Sequence, residues 1–132
     1  MKIVWITGGS SGIGLATAKK FLKNNWKVII SARNYEKLLQ AKEKLLLNSK
    51  NKQIYIYQCD ISNSEEVNKT IKIILKEIGI INLAILNAAA YSPNKTQDFL
   101  IDNYENLIDV NLKGTLYCID TLIKTISKNS FH

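Results

Sequence analysis

Apolar positions along this chain follow two rhythms that take turns. Lys2-Ile3-Val4-Trp5-Ile6, Lys27-Val28-Ile29-Ile30-Ser31, Ile54-Tyr55-Ile56-Tyr57 and Leu83-Ala84-Ile85-Leu86 are short, mainly apolar runs. Runs of this length and composition predict strands buried on both faces of a parallel sheet. Between them the apolar residues recur at three- and four-residue spacing. Leu15, Ala18, Phe21 and Leu22 mark a first helix that Asn24-Asn25 end. Asn34 is placed to cap a second helix from Tyr35 to about Leu47, with Leu38, Leu39, Leu45 and Leu46 inward. A third helix is predicted from about Ser64 to Ile78, with Ser62 or Asn63 as cap and Gly79 as stop. A loop holding the only proline, Pro93, leads to a last long helix from about Asn103 to Ile126, with Leu107, Val110, Leu116 and Ile119 as its apolar stripe.

Strands alternating with helices predict an α/β fold, a Rossmann-type doubly wound parallel sheet with helices on both faces and right-handed crossovers. The pattern stops after the fourth strand and its following helix. That strand is then an uncovered edge with apolar faces. The 132 residues make one domain, residues 1–132, long enough for a real core.

The first strand runs into Thr7-Gly8-Gly9-Ser10-Ser11-Gly12-Ile13-Gly14, a glycine-rich turn that opens the first helix. Gly8 suits a tight turn, Gly12 lets backbone approach a pyrophosphate, and Gly14 lets the helix pack closely on the strand. Ser10, Ser11 and Ile13 complete the turn, and the helix start offers free N–H groups and a positive dipole to phosphate. The bland alternative is an ordinary glycine-rich loop.

Three residues separate Gly8 from Gly12 and one separates Gly12 from Gly14. With Thr7 in front, this resembles the TGxxxGxG turn of the short-chain dehydrogenases/reductases, in their single-domain branch. Further motifs follow in the family's order. After the third strand, Cys59-Asp60-Ile61 is similar to the family's Asp-Val or Asp-Ile pair along the adenine. The resemblance implies that Asp60 accepts from the adenine amino group and Ile61 covers the ring; alternatively Asp60 is simply an early helix cap, and its coincidence with the expected strand end favours the adenine role. Asn87-Ala88-Ala89 resembles the family's Asn-Ala-Gly, in which a side-chain amide ties neighbouring strands and small residues leave room for the ribose. Ala89 stands where glycine is usual, adding a methyl. Val110-Asn111-Leu112-Lys113-Gly114 matches the family's Val-Asn-x-x-Gly, which makes Asn111 the one position of the catalytic tetrad that carries over. Gly114 inside a helix implies close packing.

The second strand ends at Ala32-Arg33. An acidic residue near this point binds ribose hydroxyls in dinucleotide folds, whereas a basic one accommodates a 2′-phosphate. Arg33 is the only arginine in the chain, and its planar fork suits phosphate oxygens. NADP(H) is therefore expected over NAD(H); the alternative is a surface arginine at a helix entry.

Composition narrows the partners. The formal charge of +7 comes almost wholly from lysines spread over helix faces, without the basic clustering and interleaved aromatics of a nucleic-acid surface. Cys59 and Cys118 read as buried free thiols or, alternatively, as a disulfide. The single histidine is His132, so a histidine triad or zinc site has no material. No signal-peptide pattern opens the chain and no apolar run approaches the ~20 residues of a membrane span. A soluble, cytoplasmic protein that binds neither nucleic acid nor membrane is expected.

The resemblance also implies a serine after a fifth strand and a Tyr-x-x-x-Lys on the next helix. Tyr91-Ser92-Pro93-Asn94-Lys95 has that spacing but precedes Asn111 and carries a helix-breaking proline, so it reads as a decoy. The expected function is that of an NADP-dependent oxidoreductase in truncated form, moving a hydride between NADP(H) and a carbonyl/alcohol substrate. The alternative is a non-catalytic NADP(H)-binding or oligomerisation module. By the same resemblance the last helix forms homo-oligomers.

Overall fold

Ile3–Thr7 (β1) is buried along its whole length, because it has a parallel neighbour on either side and apolar cover above and below. The structure is a computed structural model and describes residues 1–91 and 99–129. Elements follow in the order β1, α1 (Gly12–Lys23), β2 (Lys27–Ala32), α2 (Tyr35–Leu47), β3 (Ile54–Gln58), α3 (Ser64–Glu77) and β4 (Leu83–Leu86). A long helical arm follows, made of α4 (Ile101–Ile108), a π-helical turn (Asp109–Gly114) and α5 (Thr115–Asn129). The strands form one parallel sheet in the order β3-β2-β1-β4. This is the α/β, Rossmann-type arrangement that the alternating rhythms predict.

The two-residue period of the strands divides the core. Ile3, Trp5 and Ile29 face α3 and α5, together with Cys59, Val67, Ile71, Ile74, Val110 and Cys118. Val4, Ile6, Val28 and Ile30 face α1 and α2, against Ala18, Leu22, Leu38, Ala41 and Leu45. Burying one such Ile or Leu contributes about 1.5–3 kcal/mol. The polar groups caught inside are satisfied: Trp5 Nε1 donates to Ser31 Oγ at 3.0 Å. Asn82 sets the register of β4, its Oδ1 accepting from Ile3 N at 2.8 Å while its N–H donates to Ile3 O at 2.9 Å.

The second and third helices begin as their caps predict. Asn34 Oδ1 accepts from Lys37 N, and Asn63 Oδ1 accepts from Glu65 N and Glu66 N. The choice between Ser62 and Asn63 thus falls to Asn63. Gly79, just beyond α3, has φ +129°, the stop expected of it. Cys59 and Cys118 are free and buried, so the disulfide alternative is overturned.

The last helix differs from its prediction in two ways. It is not one regular helix, since the π turn interrupts it. Its inward positions are Val110, Gly114, Cys118 and Thr121, whereas Leu116 and Ile119 are 53% and 40% exposed. The reason is closeness. A Cβ on Gly114 would lie 2.7 Å from Ile61 Cγ1, so only small residues fit at the contact and the large apolar ones are left on the far side. The close-packing role expected of Gly114 is what the structure shows.

β4 pairs with β1 alone among the described residues and is only partly covered. No helix among the described residues is long and apolar enough to cross a membrane. Of the Tyr91–Lys95 string only Tyr91 falls within the described residues.

Candidate functional site

A cleft of about 610 Å³ opens beyond the C-terminal ends of the strands. The chain winds outward from β1 to β2 to β3 and then returns to place β4 on the other side of β1. Crossovers part at that reversal, which is where open parallel sheets accept ligands.

Gly8, Ser10, Ser11, Gly12 and Ile13 form the wall on the β1–α1 side. Gly8 has φ +65°, and a Cβ there would stand 2.8 Å from Ala88 Cα. Gly12 has φ +51° and nothing within 4 Å of a Cβ position, so its backbone faces open space. Gly14 does not line the cleft. A Cβ on it would come 2.2 Å from Gly8 O and 2.7 Å from Asn87 Nδ2, so its close approach is to the turn at the strand's end.

The start of α1 is left open. Ser11 is its N-cap residue by backbone geometry, yet its side chain makes no cap bond and the first turn carries no acidic residue. The N–H groups there are orphaned by helix geometry, and the dipole adds partial positive charge. An anion is the missing complement.

The opposite wall comes from the β2–α2 junction, where Arg33 lines the cleft with Ala32, Asn34 and Lys37. Asp60 and Ile61 enter after β3. Asp60 is not a helix cap: its Oδ1 accepts from Ser62 N at 3.0 Å and Ser62 Oγ at 2.7 Å, closing a turn ahead of Asn63. Ile61 is buried against Gly114 and lines the cleft floor. Cys59 lies beside it; burial, opposed by a hydrogen bond with Thr70, pushes its thiol above the ordinary value. A protonated thiol there is apolar wall.

Asn87, Ala88 and Ala89 close the β4 side. Asn87 Nδ2 donates to Thr7 O at 3.3 Å and Gly8 O at 3.2 Å, and Asn87 N and Ala88 N donate to Thr7 Oγ1 at 3.0 and 3.1 Å. The strand-tying amide is as the sequence suggests, but its partner Thr7 is a larger contributor than motif spacing alone conveys. Ala89 is not left-handed: Asn25 is the one non-glycine residue with positive φ among those described.

Asn111 lies in the π turn and outside the cleft lining. Its Oδ1 accepts from Ala90 N at 2.7 Å and its Nδ2 donates to Ala90 O at 3.0 Å. The side chain thus holds the segment after β4. Thr115 Oγ1 donates to Asn111 O at 3.1 Å, where the widened turn disturbs the regular ladder. Single π turns inside α-helices are frequent at functional sites.

A family model described as short chain dehydrogenase matches residues 2–131. The chain belongs to that family. A curated relative from Staphylococcus aureus, an uncharacterized oxidoreductase, is 34% identical over 129 residues, covering 98% of this chain and 54% of its own length. One from Staphylococcus haemolyticus is 31% identical over 123 residues, covering 92% and 51%. The chain therefore spans about half the length of the curated relatives it matches. Among solved structures, a short chain dehydrogenase from Bacillus anthracis superposes with TM-score 0.89 at 33% identity, over 97% of this chain and 51% of that one. A variant of ElxO with NADPH bound gives TM-score 0.85 at 33% identity, over 98% and 52%.

Within this short-chain dehydrogenase frame, Lys37 and Ser31 are cleft-lining residues that motif reading passes over, while Thr7 and Val110, quoted as members of their motifs, brace and line the cleft. Lys37 left a readable trace only in standing four residues after Arg33.

Proposed function

We propose that residues 1–132 are the NADP(H)-binding Rossmann domain of a short-chain dehydrogenase/reductase, acting in hydride transfer between NADP(H) and a carbonyl/alcohol substrate. The observation that carries this reading is the uncapped, acid-free start of α1 behind Gly12. That cradle fits a pyrophosphate, and a side chain at Gly12 would fill it.

In this reading Gly8, Ser10, Ser11, Gly12, Ile13 and Gly14 form the turn that receives the pyrophosphate. Arg33 meets the 2′-phosphate. Asp60 turns its oxygens toward the adenine edge, one of them already engaged by Ser62, and Ile61 covers the ring. Asn87, Ala88 and Ala89 border the ribose on the nicotinamide side. The bound dinucleotide supplies the hydride. Asn111 is the one member of the catalytic tetrad within the chain, and its side chain steadies the segment after β4. Proton transfer is worth about 10²–10⁴ in rate, and in this reading it falls to a serine and a Tyr-x-x-x-Lys of the family pattern, which the Tyr91–Lys95 string, ahead of Asn111, does not supply. Nucleotide binding is accordingly the part of this function assigned to residues 1–132.

The exposed apolar stripe Ile108, Leu112, Leu116, Ile119 and Ile123 on the α4–α5 arm supports association of two copies through this arm. A surface of that kind is usual for an interface and unusual for open solvent.

The test is Arg33→Ala, with NADPH and NADH binding followed by cofactor fluorescence. NADPH affinity is expected to fall about tenfold or more, the range of a lost charged hydrogen bond, while NADH affinity changes little. Equal losses for both would overturn the NADP(H) assignment.

A further inference from the structure

Asp60 is the one acidic residue lining the cleft among the described residues, and a residue outside that lining holds it. We infer that Glu66, in the first turn of α3, is the positioning residue for Asp60, fixing the backbone there so that the remaining carboxylate oxygen meets the exocyclic amino group of adenine. This inference rests on the adenine role given to Asp60 above, and adds to it a residue that none of the quoted motifs contains.

The ladder between β3 and β2 ends where Cys59 N donates to Ala32 O at 3.0 Å. From Asp60 onward the chain leaves the sheet, and other contacts must fix its course. Asp60 N donates to Glu66 Oε2 at 2.9 Å. Asp60 O accepts from Asn63 N at 3.1 Å. Its Oδ1 accepts from Ser62 N at 3.0 Å and from Ser62 Oγ at 2.7 Å. Three of its four polar atoms are thus held, and Oδ2 alone has no protein partner among the described residues. Asp60 therefore offers the cleft an acceptor and no donor.

The bond made by Glu66 is not the one its helix position calls for. A Glu at the third helical residue ordinarily returns to the N–H of the cap residue itself. Here the Asn63 N–H is already given to Asp60 O, and Glu66 reaches three residues further back, to Asp60 N. Asn63 meanwhile caps α3 through its own side chain, on Glu65 N and Glu66 N. The Glu66 carboxylate consequently serves the segment ahead of the helix. Glu66 is exposed and does not line the cleft, so it acts on a ligand through Asp60. Adenine presents a 6-amino donor to such an acceptor. Hypoxanthine presents a 6-oxo acceptor, and two acceptors facing each other leave both unpaired.

The experiment titrates the full chain with NADPH and with its hypoxanthine counterpart, followed by cofactor fluorescence. Wild type is compared with Glu66→Ala, Glu66→Asp, Glu66→Gln, Asn63→Ala and Asp60→Ala, each checked for folding by circular dichroism. Wild type is expected to prefer NADPH about tenfold, the range of one hydrogen bond. Glu66→Ala is expected to bring that preference within about twofold. Glu66→Asp keeps an acid in the first turn, so the helix start is preserved, but stops one methylene short of Asp60 N; it is expected to lose the preference equally and decides the matter if Glu66→Ala does not fold. Glu66→Gln, with an acceptor oxygen at the same reach, is expected to retain it. Asn63→Ala weakens the helix start without removing the Glu66 bond and is also expected to retain it, which separates positioning from mere stability. If Asp60→Ala abolishes the preference while Glu66→Asp keeps it, or if Asn63→Ala or Glu66→Gln loses it as fully as Glu66→Asp, the inference about Glu66 is wrong and the adenine role of Asp60 stands. If wild type binds the two cofactors alike, that adenine role itself fails and takes this inference with it.

Discussion

The starts of α1 and α3 are built on opposite plans. α3 opens with Asn63 accepting from two backbone N–H groups, with Glu65 and Glu66 in its first turn. It is tied again at its far end, where Tyr57 Oη donates to Glu77 Oε2 at 2.8 Å. α1 opens with a serine whose side chain bonds nothing, glycines at positive φ and no acid at all. Every available means of satisfying a helix start is used in one case and withheld in the other. The difference teaches that α3 is a structural brace, complete in itself, whereas the start of α1 is left open, as the proposed pyrophosphate site requires. α2 stands between them, capped like α3 yet carrying Lys37 where α3 carries Glu66.

The sharpest break in this contrast comes from Gly14. Its Cβ position lies within 2.7 Å of both Gly8 O and Asn87 Nδ2, backbone and a tied amide that cannot step aside together. Gly14→Ala is expected to destabilise the fold by about 3 kcal/mol, the upper range for overpacking, read as a lower urea midpoint. A midpoint within experimental error of wild type would mean that the turn is looser than drawn.

Next in size is the exchange of plans. Ser11→Asp gives α1 the carboxylate it lacks, and is expected to raise stability by about 0.5 kcal/mol through the dipole while weakening NADPH about tenfold or more by occupying the phosphate's place. Asn63→Ala does the reverse, losing about 1 kcal/mol of stability with NADPH affinity unchanged. Paired thermal melts and fluorescence titrations measure both. Loss of stability in Ser11→Asp, or loss of affinity in Asn63→Ala, would erase the distinction between the two helices.

The smallest effect concerns the far end of α3. Burial first, then the hydrogen bond and charge of Glu77, push the Tyr57 hydroxyl up to about 12. Its folded value lies above its unfolded one of 10.0. The stabilisation is therefore complete below pH 10 and is lost as pH rises toward 12. Lysines titrate in the same window, so the informative quantity is the difference between wild type and Tyr57→Phe. The difference in melting temperature is expected to shrink across that window, and a constant difference would show that the Tyr57–Glu77 bond contributes nothing.

The arm after β4 offers a further contrast with the rest of the molecule. None of the residues of α4 is buried, and Phe99 and Tyr104 stack on each other at 4.7 Å in the open. α1, α2 and α3 each bury a full stripe against the sheet. Coverage explains this: the three earlier helices sit over β1, β2 and β3, whereas beyond β4 the sheet has no further strand among the described residues.

By itself the sequence determined the two rhythms, and through them the strands, the first three helices, the cap at Asn34, the pair Ser62 and Asn63 from which the third helix takes its cap, and the turn at Gly8 to Gly14. These are local matters, because side-chain periodicity, capping and the glycine requirement act within a few residues of one another. Only the tertiary structure decided which side of the last helix is inward, since that depends on how near Ile61 comes to Gly114. It alone placed Thr7 as the partner of Asn87 across two strands, gave the Asn111 side chain to Ala90 rather than to the cleft, and brought Lys37 into the lining beside Arg33. Each of these is a contact between distant segments, and no spacing along the chain encodes the distance between two elements once the sheet has brought them together.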